Sequence, residues 1–257
     1  MTKEIKVLET CFGGKKIILI AGPCAVESKQ EFDADVKDLK KVDCFRGGAY
    51  KGRTSPHSFL GLEEEGLQIL KEASIKYKKP VVSEITSETQ INNFIEMVDI
   101  IQVGARNMQN FELLKALGKT NKPILLKRGF ANTVDELLNA AEYISKEGND
   151  NIILCERGIR TFENTTRFTL DIGAVAVLKT KSNYPIIVDP SHAAGDSKYV
   201  EPLALAAIAA GADGIMIEVH SNPAKALSDK EQALTIKEYN NLIEKIEKIA
   251  NSIGRTI

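Results

Sequence analysis

Residues 185–196, PIIVDPSHAAGD, run through three β-branched residues, break at Asp189-Pro190 and then present His192 in a turn of small residues. Ile186, Ile187 and Val188 would be apolar on both faces of a strand, the pattern expected when helices cover both sides of a sheet. The same kind of run recurs at 17–21 (IILIA), 42–46 (VDCFR), 80–84 (PVVSE), 99–103 (DIIQV), 123–127 (PILLK), 151–155 (NIILC) and 213–219 (DGIMIEV). Segments with helical spacing lie between them, such as GLEEEGLQILKEASIKY (61–77), TVDELLNAAEYISKEG (133–148) and VEPLALAAIAAGA (200–212). Eight strand–helix units in 257 residues predict a single (β/α)8 barrel spanning 1–257, with an open doubly wound sheet as the alternative. A short N-terminal extension, around VLETCFGGKK (7–16), is expected to form a strand pair capping the barrel floor.

The bulk numbers exclude several functions. Lysines and arginines total 34 against 35 aspartates and glutamates, so no global field draws the chain to nucleic acid or to an anionic membrane. No apolar run approaches a transmembrane length and MTKEIKVLET does not read as a signal peptide. Cys11, Cys24, Cys44 and Cys155 are widely spaced, as reduced thiols of a cytoplasmic protein are.

In such a barrel, chemistry sits at the carboxyl ends of the strands. Those ends carry Cys24, Arg46, Glu84, Arg106, Lys127, Arg157, Asp189 with His192, and Glu218 with His220. Two groups separate. Arg46, Lys51, Arg53, Arg106, Lys127 and Arg157 gather six cations on one rim of a nearly neutral protein, which points to a substrate with several negative charges. Cys24, His192, Glu218 and Asp229 combine a thiol, an imidazole and two carboxylates, a set suited to a divalent cation. Closure of the eighth strand on the first would make Cys24 and Glu218 neighbours. Each also has a plainer reading: Cys24 as a buried filler, Glu218 as the partner of a rim cation, and Asp229 as part of a helix start with Ser228 and Glu231.

Seven stretches, IAGPCAVES, FRGGAYKGRTSPHSF, VGARNMQN, LLKRG, CERGIRTFE, VDPSHAAGD and IEVHSNPAKALSD, closely resemble the 3-deoxy-7-phosphoheptulonate synthase family, from about residue 8 to 245. The resemblance implies condensation of phosphoenolpyruvate with erythrose 4-phosphate, the first step of the shikimate pathway to aromatic amino acids. It implies that Cys24, His192, Glu218 and Asp229 bind a divalent ion, manganese first, with iron, cobalt and zinc as alternatives. Arg46, Lys51, Arg106, Lys127 and Arg157 would hold phosphoenolpyruvate, and Arg53 and Thr54 the aldose phosphate. Lys127 would hydrogen-bond substrate or shuttle a proton, and Glu84 would orient the reacting water or pair with a nearby cation. A cytoplasmic homodimer or homotetramer is also implied.

One position departs from the family pattern: Lys51-Gly52-Arg53-Thr54 stands where Lys-Pro-Arg-Thr is usual, which frees the backbone of the aldose-phosphate loop. The rival reading is the sister synthase acting on arabinose 5-phosphate, whose loop carries Asn-Arg-Ser. A binding protein that has lost its chemistry is disfavoured because all the ligand and cation positions are filled. The chain ends leave no room for a further domain of about 50 residues or more, so the chain alone is expected to ignore phenylalanine, tyrosine and tryptophan.

Overall fold

The structure, a computed structural model, describes residues 2–52, 55 and 57–257; Met1, Arg53, Thr54 and Pro56 lie outside the described residues. Eight parallel strands close into a barrel: β3 (Ile18–Gly22), β4 (Cys44–Arg46), β5 (Val81–Ile85), β6 (Ile100–Val103), β7 (Ile124–Lys127), β8 (Ile152–Glu156), β9 (Ile186–Val188) and β10 (Gly214–Glu218). β10 pairs with both β9 and β3, so the open-sheet alternative is excluded. Around them run α1 (Lys29–Val36), α2 (Glu63–Tyr77), α3 (Ile91–Met97), α4 (Phe111–Gly118), α5 (Val134–Ser145), α6 (Ile172–Lys181), α7 (Pro190–Ala194), α8 (Ser197–Ala209) and α9 (Ile236–Ser252). Among the described residues no helix is long and apolar enough to cross a membrane.

The continuous apolar runs follow from this burial. Leu19, Phe45, Ile101, Leu126, Leu154 and Ile217 turn outward against the helices. Their neighbours Ile20, Cys44, Ile100, Leu125, Ile153 and Met216 fill the barrel interior. The helices start where the sequence supplies caps. Thr133 with Glu136 and Thr235 with Glu238 form capping boxes for α5 and α9, and Ser28 caps α1.

The N-terminal segment forms an antiparallel hairpin of β1 (Ile5–Val7) and β2 (Thr10–Phe12). Ile5, Val7 and Phe12 join the interior cluster, so the hairpin stops the barrel floor with apolar side chains. On the same floor, Asp43, Asp99 and Asp213 each take a backbone N–H near the start of the preceding strand. Their partners are Leu19 at 3.1 Å, Val81 at 2.9 Å and Ile186 at 2.9 Å. Asp213 also holds Lys179 at 2.8 Å and Arg255 at 3.3 Å. These three floor carboxylates are thus engaged by the backbone, and the cation-lined cavity opens at the opposite mouth.

Candidate active site

The segment Asp189-Pro190-Ser191-His192 is a complete helix start. Asp189 Oδ1 accepts the His192 N–H at 3.0 Å, Pro190 occupies the first turn, and Gly195 ends α7 in the left-handed region (φ 71°). The other carboxylate oxygen, Oδ2, accepts from His192 Nδ1 at 2.7 Å and from Lys127 Nζ at 2.5 Å. One buried aspartate thus sets the pose of both groups. Burial of His192 outweighs the nearby carboxylates and holds its pKa below the usual histidine range, so the ring is neutral at pH 7 with Nδ1–H on Asp189 and a free Nε2 lone pair.

That Nε2 faces Glu218 Oε1 at 3.2 Å and Asp229 Oδ2 at 4.0 Å. Cys24 Sγ lies 2.9 Å from Asp229 Oδ2. Donor atoms of Cys24, His192, Glu218 and Asp229 all fall within 4.8 Å of one another, a span that a four- or six-coordinate divalent ion can bridge. The register of β10 on β3, Glu218 beside Gly22, brings Glu218 and Cys24 together as the closed barrel requires. Asp229 does not start a helix: it sits at φ 52° in the loop before α9, and Ser228 Oγ lies 3.2 Å from Cys24 Sγ.

The charges suit a cation. Burial opposes ionisation of Glu218 and Asp229, but His192 and the nearby cations outweigh it, so both carboxylates stay below their ordinary range. Burial and the charge of Glu218 push the Cys24 thiol up to about 12, against the pull of Lys51. Arg46 at 2.8 Å from Glu218 Oε1, Lys51 at 2.9 Å from Cys24 Sγ and Arg167 at 3.2 Å from Asp229 Oδ1 surround the cluster.

Above the cluster opens a cavity of about 280 Å³. Lys51, Arg106, Lys127, Arg157, Arg160 and Arg167 line it, against Glu84 and Asp229 as the only carboxylates among the described lining residues. Phe130 and Phe168 stack at 5.2 Å in one wall and carry guanidinium groups: Arg157 at 4.0 Å from the Phe168 centroid, and Arg106 and Arg160 at 5.3 and 5.2 Å from Phe130. Among the described residues, none of these three arginines has a salt bridge. Burial draws the pKa of Arg157 down to about 10, and its polar contacts are two carbonyls, Gly158 O at 3.4 Å and His192 O at 3.5 Å. One buried guanidinium, Arg157, and two exposed ones, Arg106 and Arg160, all without a carboxylate partner among the described residues, make this a receptor for phosphate or carboxylate.

Residues 5–254 match the model of the DAHP synthetase I family. The chain belongs to that family. It is 51% identical over 244 residues to phospho-2-dehydro-3-deoxyheptonate aldolase of Thermotoga maritima, covering 94% of this chain and 72% of the relative. A crystal structure of that Thermotoga aldolase superposes with a TM-score of 0.96 at 49% identity, over 99% of this chain and 75% of the other. A truncated form of 3-deoxy-D-arabino-heptulosonate 7-phosphate synthase from the same organism matches at TM-score 0.90 and 45% identity, over 99% and 94% of the two chains. More distant is 2-dehydro-3-deoxyphosphooctonate aldolase of Fusobacterium nucleatum, 33% identical over 276 residues, 99% of this chain and 96% of the relative.

Within this member of the family, the residues expected from the sequence divide by depth. Lys51, Glu84, Arg106, Lys127, Arg157, His192 and Asp229 line the open cavity. Arg46 and Glu218 lie below it as a buried pair, with Arg46 also donating to Pro23 O at 3.0 Å. The plainer reading of Glu218, as partner of a rim cation, therefore holds alongside its place in the cluster. Arg53 and Thr54 lie outside the described residues. Sequence reasoning missed Arg160, Arg167, Phe130 and Phe168. Arg160 stands inside CERGIRTFE and was open to notice, whereas nothing local marks Arg167 as facing Asp229.

Glu84 is held by Gln102 Nε2 at 3.1 Å and lies against Gly104, where an added Cβ would come within 2.0 Å of Glu84 Oε1. Gly104→Ala therefore displaces a flexible carboxylate and leaves the backbone in place. We expect an unchanged melting temperature, an unchanged KM for the enol substrate and a kcat lower by about 10–100-fold, the scale of an ångström-sized misplacement. Thermal melts and steady-state kinetics check this, and an unchanged kcat would remove Glu84 from the reaction.

Proposed function

We propose that the chain joins phosphoenolpyruvate to erythrose 4-phosphate and water, giving 3-deoxy-D-arabino-heptulosonate 7-phosphate and inorganic phosphate. The observation that carries this reading is the pairing of Arg106, Arg157 and Arg160, none with a salt bridge among the described residues, with the Cys24–His192–Glu218–Asp229 cluster at one mouth of a DAHP synthetase I barrel. Phosphoenolpyruvate bears a phosphate and a carboxylate, and Arg106, Arg157 and Lys51 offer fixed cations for both. C3 of the enol forms a bond to the aldehyde carbon, water adds at C2, and phosphate leaves by cleavage of its C2–O bond. Lys127, positioned by Asp189, donates a proton toward the aldehyde oxygen as the new bond forms. Glu84, positioned by Gln102, orients the water that adds at C2 and takes its proton. Cys24, His192, Glu218 and Asp229 would hold a divalent cation, which when bound would supply Lewis-acid polarisation of a substrate oxygen. The geometry favours no one metal, and manganese remains the first choice. The reading includes a cytoplasmic location and a homodimer or homotetramer, which sedimentation of the purified chain measures.

The deciding experiment follows phosphoenolpyruvate loss and phosphate release with erythrose 4-phosphate and with arabinose 5-phosphate. Turnover with the four-carbon sugar is expected; turnover with arabinose 5-phosphate alone would make the chain the sister synthase. The 51% against 33% identities favour the first outcome. Arg106→Ala removes a charged hydrogen-bond donor worth about 1.5–3 kcal/mol. The KM for phosphoenolpyruvate should rise roughly ten- to hundredfold with a smaller change in kcat. Steady-state kinetics at fixed sugar phosphate test this, and an unchanged KM would take Arg106 out of the binding site.

A further inference from the structure

The loop from β10 to α9, residues 219–235, carries Ser228 and Asp229 and contains one short 3-10 turn, Pro223–Lys225. It is tied to the first loop of the barrel by two carboxylates. Glu27 Oε1 accepts the Leu227 N–H at 2.7 Å, and Asp35 Oδ1, on α1, accepts the Ser221 N–H at 2.7 Å. Between them sits His220. Its Nδ1 accepts from the Asn222 N–H at 3.0 Å and lies 3.7 Å from Asp35 Oδ1. With Nδ1 an acceptor, the ring proton is on Nε2, which is buried without a hydrogen-bond partner, 3.9 Å from Glu27 Oε2. The three side chains are only 2–6% exposed, and among the described residues neither carboxylate pairs with a lysine or arginine.

Two desolvated carboxylates with no strong cationic partner cost stability. Such a cost is accepted where it holds a functional segment in place. The placement is telling. Glu27 follows Cys24 by three residues, and Leu227 precedes Asp229 by two. The 2.7 Å bond between Glu27 and Leu227 therefore sets how far apart two members of the cluster stand. Asp229 itself occupies the left-handed region at φ 52°, a conformation a released loop would leave.

We infer that Glu27 and Asp35 are positioning residues: they clasp the last loop of the barrel to the first and so set the affinity of the Cys24–His192–Glu218–Asp229 cluster for a divalent ion. This rests on the cation reading above. The two are separated by titrating the metal-stripped full chain with Co2+ and following the thiolate-to-cobalt absorption. Failure of the wild type to bind would overturn the cation reading itself. With a binding wild type, Glu27→Ala should raise the Co2+ dissociation constant by about tenfold or more, the range of outer-shell partners. Glu27→Gln keeps an acceptor oxygen and should restore binding to near the wild-type value. Wild-type affinity in Glu27→Ala, or a loss in Glu27→Gln as large as in Glu27→Ala, overturns the inference. Should Glu27→Ala not fold, hydrogen exchange of the wild type decides. The clasp predicts that residues 219–229 are protected in the metal-free protein almost as well as with Co2+; free exchange there without metal refutes it.

Discussion

Cys24→Ala yields a folded barrel without metal-supported turnover. The side chain sits beyond the end of β3, and its removal opens little space, so melting should change by no more than a few degrees. Activity should fall by more than the roughly 10–100-fold typical of an outer-shell change, because an inner ligand is lost. Chelator-treated wild type should fall to the same background and recover with Mn2+, whereas the variant should not recover. A second readout is the proton. Burial holds the thiol at a pKa of about 12, while Glu218 and Asp229 are ionised and His192 is neutral above pH 7. A cation must therefore displace one proton, from Cys24, and wild-type affinity should climb about tenfold per pH unit between pH 7 and 9. Cys24→Ala should show no such slope. Near-normal rates in the variant at saturating metal would make Cys24 a packing residue.

Asp189→Asn should have the widest effect of any change below the cavity. Its Oδ2 receives both Lys127 Nζ and His192 Nδ1, and Asp189 itself is fully buried. Burial opposes its charge, yet His192 and Lys127 outweigh that and hold it well below the usual carboxylate range. An amide with one neutral acceptor oxygen replaces an anion that serves three donors, leaving Lys127, 5% exposed, as a buried cation without its partner. Breaking such a pair costs about 3–5 kcal/mol. At about 2–4 °C per kcal/mol this lowers the melting temperature by on the order of 10 °C. Metal affinity should fall as well, since the imidazole loses the acceptor that fixes its tautomer. Melting curves and Co2+ titration read the two effects separately. Unchanged stability and unchanged affinity together would mean that Lys127 and His192 are set by other contacts.

Why the barrel was legible and part of the site was not comes down to where information lies along the chain. Strands such as 185–189 and 123–127 announce themselves because both faces are buried, and their ends because polarity changes there. The helix start at Asp189-Pro190-Ser191-His192 is likewise local. Pairings made by closure are not. Arg46 looked like one more rim cation, but the stagger of the barrel turns it inward to Glu218, 172 residues away. Asp189 was marked as a strand end with no sign that it would hold Lys127, 62 residues earlier. Arg167 and the stacked Phe130 and Phe168 sit on loops whose paths depend on the strands beneath them. The floor hairpin was foreseen within a few residues because a short alternating segment preceding the first barrel strand has few other places to bury Ile5 and Phe12.

That hairpin has an electrical consequence. With Ile5, Val7 and Phe12 stopping one end, and Ile20, Leu125, Ile153 and Met216 filling the shaft, the barrel beneath the site is a dry column of low polarisability. The cationic charges lining the mouth, Arg157 foremost, which is buried and without a salt bridge among the described residues, are backed by an insulator and screened by water mainly from above. Their field is therefore directed out of the mouth and weakens slowly across the cavity, where a given displacement of charge does more work than it would in a solvated cleft. The floor never meets a substrate, yet it governs how strongly the mouth can act on one.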